Sequence, residues 1–421
     1  MGKILKNALL DNRITNILIN DERIEYIGDR TKISEEIIDL DGKTVIPGLI
    51  DPHVHVRDLN QAALEDWLSV SRAALKGGVT TIFDMPNTQP PTNSENSLKL
   101  KREAASKAMI DYKFYLGATD NNLPELEKIL SQHPDDVCGI KVFLASSSAN
   151  ETFNDLNKLT ELFKIALKYD LIVAVHTELQ DCLNRWQKEY PQEIINHSKI
   201  RNRQCAIEGT KKVLEIASSV GNNIYLTHVS TKEEIELIRV YKNSCRVICE
   251  VTPHHLFLDE SILSDIGNLG KVNPPLRTIE DNIALWNAID DGLVDLIGSD
   301  HAPHLISDKK KDYSIAPSGF PGLETTLLML IRAVESNKIS MNKMIKLTSH
   351  NPADIFKLEG KGEIKEGYMA DITVLDLGGV TRIDPKNFRS KAKYSPFEGF
   401  KVNCSIEMTI KSGEIKFRRE E

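Results

Sequence analysis

Short aliphatic and β-branched runs recur along the middle of the chain. They read TVIPGLID (44–51), VTTIFDM (79–85), YKFYLGA (112–118), GIKVFLA (139–145), LIVAVHT (171–177), IYLTHVS (224–230), RVICEVT (246–252) and LVDLIGSD (293–300). Between them the apolar spacing changes to a helical period. Residues 62–76 form one such segment, stopped by Gly77-Gly78, and 94–108, 154–169, 204–219, 231–242 and 280–290 form others. GLETTLLMLIRAVES follows the eighth run. Strands alternating with helices imply βα units and a parallel sheet, and eight such units predict an α/β fold of the TIM-type (β/α)8 barrel class.

The flanks carry a different pattern. NRITNILINDERIEYIGD near the start, and GYMADITVLDL and KVNCSIEMTIKSGEIKF near the end, alternate polar and apolar positions with polar turns, as antiparallel strands do. Neither flank holds enough residues for a core of its own. Both termini are therefore expected to build one small composite β-sandwich domain. The boundaries expected are 1–50 and 362–421 for its two parts, with the barrel over 51–361.

Composition narrows the class. The 421 residues are 41% hydrophobic and 27% charged, with a formal net charge of −8 spread without long blocks. That balance argues against non-specific nucleic-acid or anionic-membrane binding. No apolar run approaches the ~20 residues of a membrane span. The first residues, MGKILKNALLDNRI, lack the apolar core of a signal peptide. Six cysteines in so long a chain, none in a C-x-x-C pair, predict small buried hydrophobes rather than a disulfide framework. The expectation is a soluble cytoplasmic protein of a reducing compartment.

Histidine placement carries the chemistry. Of eleven histidines, eight follow the C-terminal ends of expected strands: His53 and His55, His176, His228, His254 and His255, and His301 and His304. Barrel enzymes build their sites at that face. His53, His55 and Arg57 stand at alternating positions, so an extended chain turns all three to one side. Imidazole and carboxylate are zinc ligands, and a catalytic zinc keeps one position open. His53, His55, His176, His228 and Asp300 are too many for one such ion, which suggests two metals and a bridging anion. Lys141, in GIKVFLA, is expected at the same mouth. It is either a surface lysine with a snorkelling stem or an amine carboxylated by CO2 into an anionic bridge; these residues alone leave both open.

The ordered set PGLIDPHVHVRD, GGVTTIFDMPNTQPPT, KVFLAS, VAVHTE, LTHVST, EVTPHHL, KVNPPLR, GSDHAPH and APSGFPGLET resembles the amidohydrolase superfamily and, within it, the dihydroorotase family. The resemblance covers nearly the whole chain, GYMADITVLD included. It implies two zinc ions, one held by His53, His55 and Asp300, the other by His176 and His228. N6-carboxylated Lys141 and a hydroxide would bridge them. It also implies Asp300 as general acid and base, and Arg57 and Asn87 on a substrate carboxylate. Asn273, His304 and the backbone of Ser318 to Gly322, including Pro321 and Gly322, are further implied substrate contacts. His301 and Pro303 read as structural. The implied reaction is the reversible cyclisation of N-carbamoyl-L-aspartate to L-dihydroorotate in pyrimidine biosynthesis. A homodimer and an association with aspartate transcarbamoylase are the implied partners. Allantoinase or dihydropyrimidinase activity, and a non-catalytic scaffold, are the alternatives. Two stretches depart from the pattern. DLNQAALED follows Arg57 where many relatives continue Glu-Pro-Gly, and SSSANETFNDL follows Lys141. The NETF within the latter resembles a mobile region of the multifunctional animal enzyme, where a Thr-Phe pair covers the substrate; here those residues are Thr152 and Phe153.

Overall fold

The computed structural model describes residues 2–29, 36–146 and 152–420. Eight parallel strands form the barrel: β1 (Leu49–Val54), β2 (Val79–Asp84), β3 (Asp111–Gly117), β4 (Val137–Phe143), β5 (Ile172–His176), β6 (Ile224–Leu226), β7 (Val247–Val251) and β8 (Leu296–Ile297). They pair in chain order, and β1 meets the end of β8 through a Val54–His301 bridge, with His55 N donating to His301 O at 2.8 Å. Alternation sorts the side chains. Ile50, Phe83, Tyr115, Ile172, Ala174, Tyr225, Ile248 and Leu296 cluster inside, together with Ala353, Ile355 and Phe356. Val54, Ile82, Phe114, Val142, Val173, Leu226, Val251 and Ile297 join the larger core shared with the helices. Each such burial contributes roughly 1.5–3 kcal/mol.

The helices are α1 (Trp67–Lys76), α2 (Glu95–Ala105), α3 (Leu123–Leu130), α4 (Leu156–Lys168), α5 (Gln180–Glu189), α6 (Arg203–Val220), α7 (Lys232–Tyr241), α8 (Ile279–Asp290) and α9 (Leu323–Glu335), with shorter turns among them. α1 starts later than the apolar spacing predicts because Asp66 caps it. Its side chain accepts from Ser69 N at 2.7 Å and Ser69 Oγ accepts from Asp66 N at 3.0 Å. α3 and α5 were not expected from the pattern. α3 has only eight residues and α5 buries only Cys182 and Leu183, so neither repeats an apolar stripe for long.

The run 44–51 is two strands rather than one. Thr44–Pro47 belongs to the terminal domain and Leu49–Val54 to the barrel, with Gly48 between. Gly48 N donates to Asp371 O at 2.9 Å, and a Cβ there would lie 2.4 Å from the Thr80 side chain. The terminal domain is built from both ends of the chain. Strands from Lys3–Leu10 to Thr44–Pro47 join Ile372–Asp376, Ser405–Lys411 and Glu414–Arg418 in one mixed eight-stranded network. Its two halves meet where Ile372 pairs with Pro47. A cluster of Lys361, Lys411, Asp111 and Asp371 ties this domain to β3.

The cysteine expectation needs correction. Cys182 of α5 and Cys205 of α6 form a disulfide across 23 residues, with Cα atoms 5.3 Å apart. Cys138, Cys245, Cys249 and Cys404 are free. Nothing in the spacing announces the pair. It forms because α5 folds back on α6, where Leu179 N donates to Cys205 O.

Candidate active site

Strand alternation places the first three candidate groups. Val54 and Val56 pack outward into the core, which turns His53, His55 and Arg57 into the barrel mouth. They line a narrow cavity with Asn87, Phe143, His176, His228, Val272, Asn273, Asp300, Ala302, Ser318 and Gly319. It meets a wider vestibule of about 460 Å³ that includes Arg201, Lys271, His304 and Tyr313.

Two ligand groups face one another. On one side, His53 Nε2 and His55 Nε2 lie 3.3 and 3.1 Å from Asp300 Oδ1. On the other, His176 Nδ1 and His228 Nε2 are 3.1 Å apart. Donor atoms of His53, His228 and Asp300 all fall within 4.8 Å of one another. Three of the four rings are aimed by a bond on the far nitrogen. His53 Nδ1 donates to Glu250 at 2.8 Å, His55 Nδ1 to Asn87 Oδ1 at 2.5 Å, and His176 Nε2 to Glu178 at 3.0 Å. Glu250 also accepts from His228 N at 2.7 Å and from the Tyr225 hydroxyl. Carboxylates behind imidazoles fix the tautomer and leave the other lone pair for a cation.

The electrostatics agree. Burial pulls His55 down to about 4 despite the Asp300 carboxylate, and it also lowers His176 and His228, so these imidazoles are neutral at pH 7. Burial pushes Asp300 up, but the imidazoles of His53, His55 and His254 outweigh it and hold the carboxyl below the usual range. Two neutral rings with nitrogens 3.1 Å apart can share only one proton, and the buried His228 Nδ1 has no partner. Cations accepting the lone pairs that face the cavity would relieve the crowding of His53, His55, His176 and His228 around Asp300, so the residues fit a pair of divalent metals.

Lys141 is fully buried, which rules out the snorkelling reading. Its Nζ donates to Thr227 Oγ1 at 2.9 Å and has no carboxylate within ion-pair reach among the described residues. Burial pulls it down to about 8, against the pull of Glu250 and Asp300.

Arg57 is also buried and without an ion pair among the described residues, and its Nε has no partner. One Nη lies 3.2 Å from His304 Nε2, itself 3.0 Å from the Ser318 carbonyl. A ring nitrogen donating to that carbonyl cannot also accept from Arg57. Burial lowers the guanidinium to about 10, with Asp300 opposing. The loop beyond it is pinned by Asp58, whose carboxylate accepts from Leu59 N and from Trp67 N. Asn273 lines the cavity with its buried Oδ1 unpartnered.

Other expected contacts fall elsewhere. Pro321 and Gly322 are buried but do not line the cavity; Gly322 N donates to His301 Nδ1 where α9 begins. His255 binds Thr252 and the carbonyls of Pro274 and Pro275, and His254 packs on Phe320. Phe153 is buried in the core with its N–H on Phe143 O, and Thr152 Oγ1 accepts from Asn154. Residues 147–151 of that stretch lie outside the described residues. The residues missed from sequence are Glu178 and Glu250. Glu178 stands two positions after His176, so the alternation that pointed to His53 and His55 could have found it.

A (β/α)8 barrel gathers histidines, an aspartate and a buried lysine at its C-terminal mouth, a donor set that fits divalent metals. Residues 44–416 match the Amidohydrolase family, and the chain belongs to it. It is 35% identical to a dihydroorotase of Methanosphaera stadtmanae, over 98% of this chain and 95% of that protein. It is also 35% identical to a dihydroorotase of Pyrococcus horikoshii, over 100% and 92%. Among solved structures, it resembles an L-hydantoinase (dihydropyrimidinase) from Arthrobacter aurescens. There the TM-score is 0.94 and identity 30%, over 100% of this chain and 96% of that one.

Proposed function

We propose that the chain is a dinuclear zinc dihydroorotase, interconverting N-carbamoyl-L-aspartate and L-dihydroorotate in pyrimidine biosynthesis. The full-length dihydroorotase relatives support this, and one observation separates it from the hydantoinase-like reading: Arg57. A buried guanidinium at the cavity wall, with no ion pair among the described residues, is costly unless an anion completes it. Dihydroorotate carries a ring carboxylate and dihydrouracil does not. A planar guanidinium suits that anion, with Asn87 and Asn273 beside it.

Bound among His53, His55 and Asp300 on one side and His176 and His228 on the other, two zinc ions would supply hydroxide at neutral pH and polarise the attacked carbonyl. Lys141 can complete the set by carboxylation: the neutral amine adds to CO2, one proton leaves, and the carbamate supplies a negative charge that an imidazole ligand does not. Its burial, with no carboxylate in ion-pair reach among the described residues, supports that role. Asp300, held ionised beside the imidazoles, takes the proton of the attacking water and returns it to the leaving ring nitrogen; cyclisation reverses the transfer.

The test is hydrolysis of dihydroorotate beside dihydrouracil, hydantoin and allantoin. Dihydroorotate should be strongly preferred, and Arg57→Ala should lower its kcat/KM by about 10²–10³, the loss expected for truncating a buried charge pair. Zinc content should not change. Equal turnover of dihydrouracil, or an unaffected Arg57→Ala, would instead favour the hydantoinase reading.

A further inference from the structure

A second cavity, of about 750 Å³, lies outside the barrel where the C-terminal segment covers the ends of α1 and α9. It shares no lining residue with the reaction cavity or its vestibule. Seven lysines and arginines line it against three acids, on a chain whose net charge is −8. Two of the acids are already engaged. Glu324 pairs with Lys76 and accepts from Arg389 N and Ser390 N, while Asp384 accepts from Lys386 N and the Asn387 amide. Among the described residues, the side chains of Arg382, Lys386, Arg389 and Arg418 make no hydrogen bond or ion pair. Four unpaired cations on one concavity repel one another, and an anion placed among them removes that cost.

The rest of the lining narrows the anion's chemistry. The floor is apolar, with Ile383, Phe388 and Ile406 buried and Phe417 half-buried. An apolar floor under a few convergent polar groups is the build of a small-molecule site. Three arginines favour an anion with several oxygens in fork geometry, because guanidinium binds phosphate through paired N–H groups. The cleft is also joined to the reaction site through one short stretch. Between Arg389 and Tyr394 the chain turns inward, Ser390 Oγ bonding Glu65 and the Tyr394 hydroxyl donating to Gly319 O at 3.1 Å. Gly319 lines the reaction cavity.

We propose that the cleft formed by Arg382, Lys386, Arg389 and Arg418 over Phe388 and Phe417 binds a small molecule carrying clustered phosphates. Calorimetric titration of the full chain with inorganic triphosphate, with adenosine and uridine triphosphates and with sulfate at matched ionic strength tests it. Saturable binding of the triphosphates with no heat from sulfate is expected, weakened at least about tenfold, ~1.4 kcal/mol, in Arg389→Glu/Arg418→Glu. Tighter binding of the nucleotides than of inorganic triphosphate would assign the apolar floor to a base; equal binding would assign the site to the phosphates alone. The milder Lys386→Ala/Arg418→Ala, checked by its melting temperature, covers a charge reversal that fails to fold. Absence of saturable binding at millimolar ligand, unchanged affinity in both folded variants, or binding of an acidic peptide with none of the triphosphates overturns the proposal.

Discussion

Arg57, His228 and Asp300 share left-handed backbone, with φ of 68°, 41° and 46°. Residues with a Cβ held there cost about 1–3 kcal/mol each, and the surroundings must over-determine them. They do: Glu250 takes His228 N, and the bonds of Val56 N to Asp84 and Asp58 N to Glu65 O bracket Arg57. Glu178 has a comparable role behind His176. It accepts from His176 and, at 3.0 and 2.6 Å, from Arg201. Glu178→Gln keeps the shape and removes the charge. It should lower zinc affinity about 10–100-fold, read by competition with a chromophoric chelator. Unchanged affinity would make Glu178 only a counter-ion to Arg201. His197, in the vestibule, stays neutral. Burial lowers it to about 3, its Nδ1 accepts from Tyr313 and its Nε2 donates to Val272 O, both at 2.8 Å. Between pH 6.5 and about 3 the unfolded chain binds this proton and the folded chain does not. The neutral ring's contribution is therefore complete above pH 6.5 and lost as pH falls, by up to ~1.4 kcal/mol per pH unit. His197→Gln should flatten the acid side of the urea-midpoint profile between pH 7 and 5.

Elements set the precision of the site. α6 crosses the end of β5 so closely that a Cβ on Gly209 would lie 1.7 Å from the Thr177 carbonyl. That contact seats the His176–Thr177–Glu178 turn. Gly209→Ala should therefore destabilise the chain by about 1–3 kcal/mol, seen as a lower urea midpoint, and weaken zinc binding as well. If α6 tolerates the methyl and both readouts hold, the close approach does not position the ligand. Strand period and helical period were legible because both are local. β1 to β8 fall within a few residues of the apolar runs. Boundaries depended on caps and on crossing chains. Asp66 delays α1, and the Thr80 contact at Gly48 divides a run that looked continuous.

At the scale of the molecule, the barrel and the terminal domain are held partly by charge. Lys361 and Lys411 bridge Asp111 and Asp371, the latter nearly buried. Lys361→Met leaves Asp371 with Lys411 and the Ser412 N–H and should cost about 1–3 kcal/mol, with earlier proteolytic release of residues after 361; a melt like that of the parent would show the cluster to be incidental. The sequence by itself determined the barrel class, the pooling of histidines at one face and the shared direction of His53, His55 and Arg57. Each follows from a period of two or 3.6 residues, or from motifs whose order survives folding. Only the tertiary structure decided that Lys141 is buried, that Glu250 stands behind His53 across 197 residues and that Cys182 meets Cys205. It likewise decided that four cations unpaired among the described residues share a cleft. Such contacts join positions far apart in the chain, and no local period brings them together; closing the barrel and packing its neighbour do.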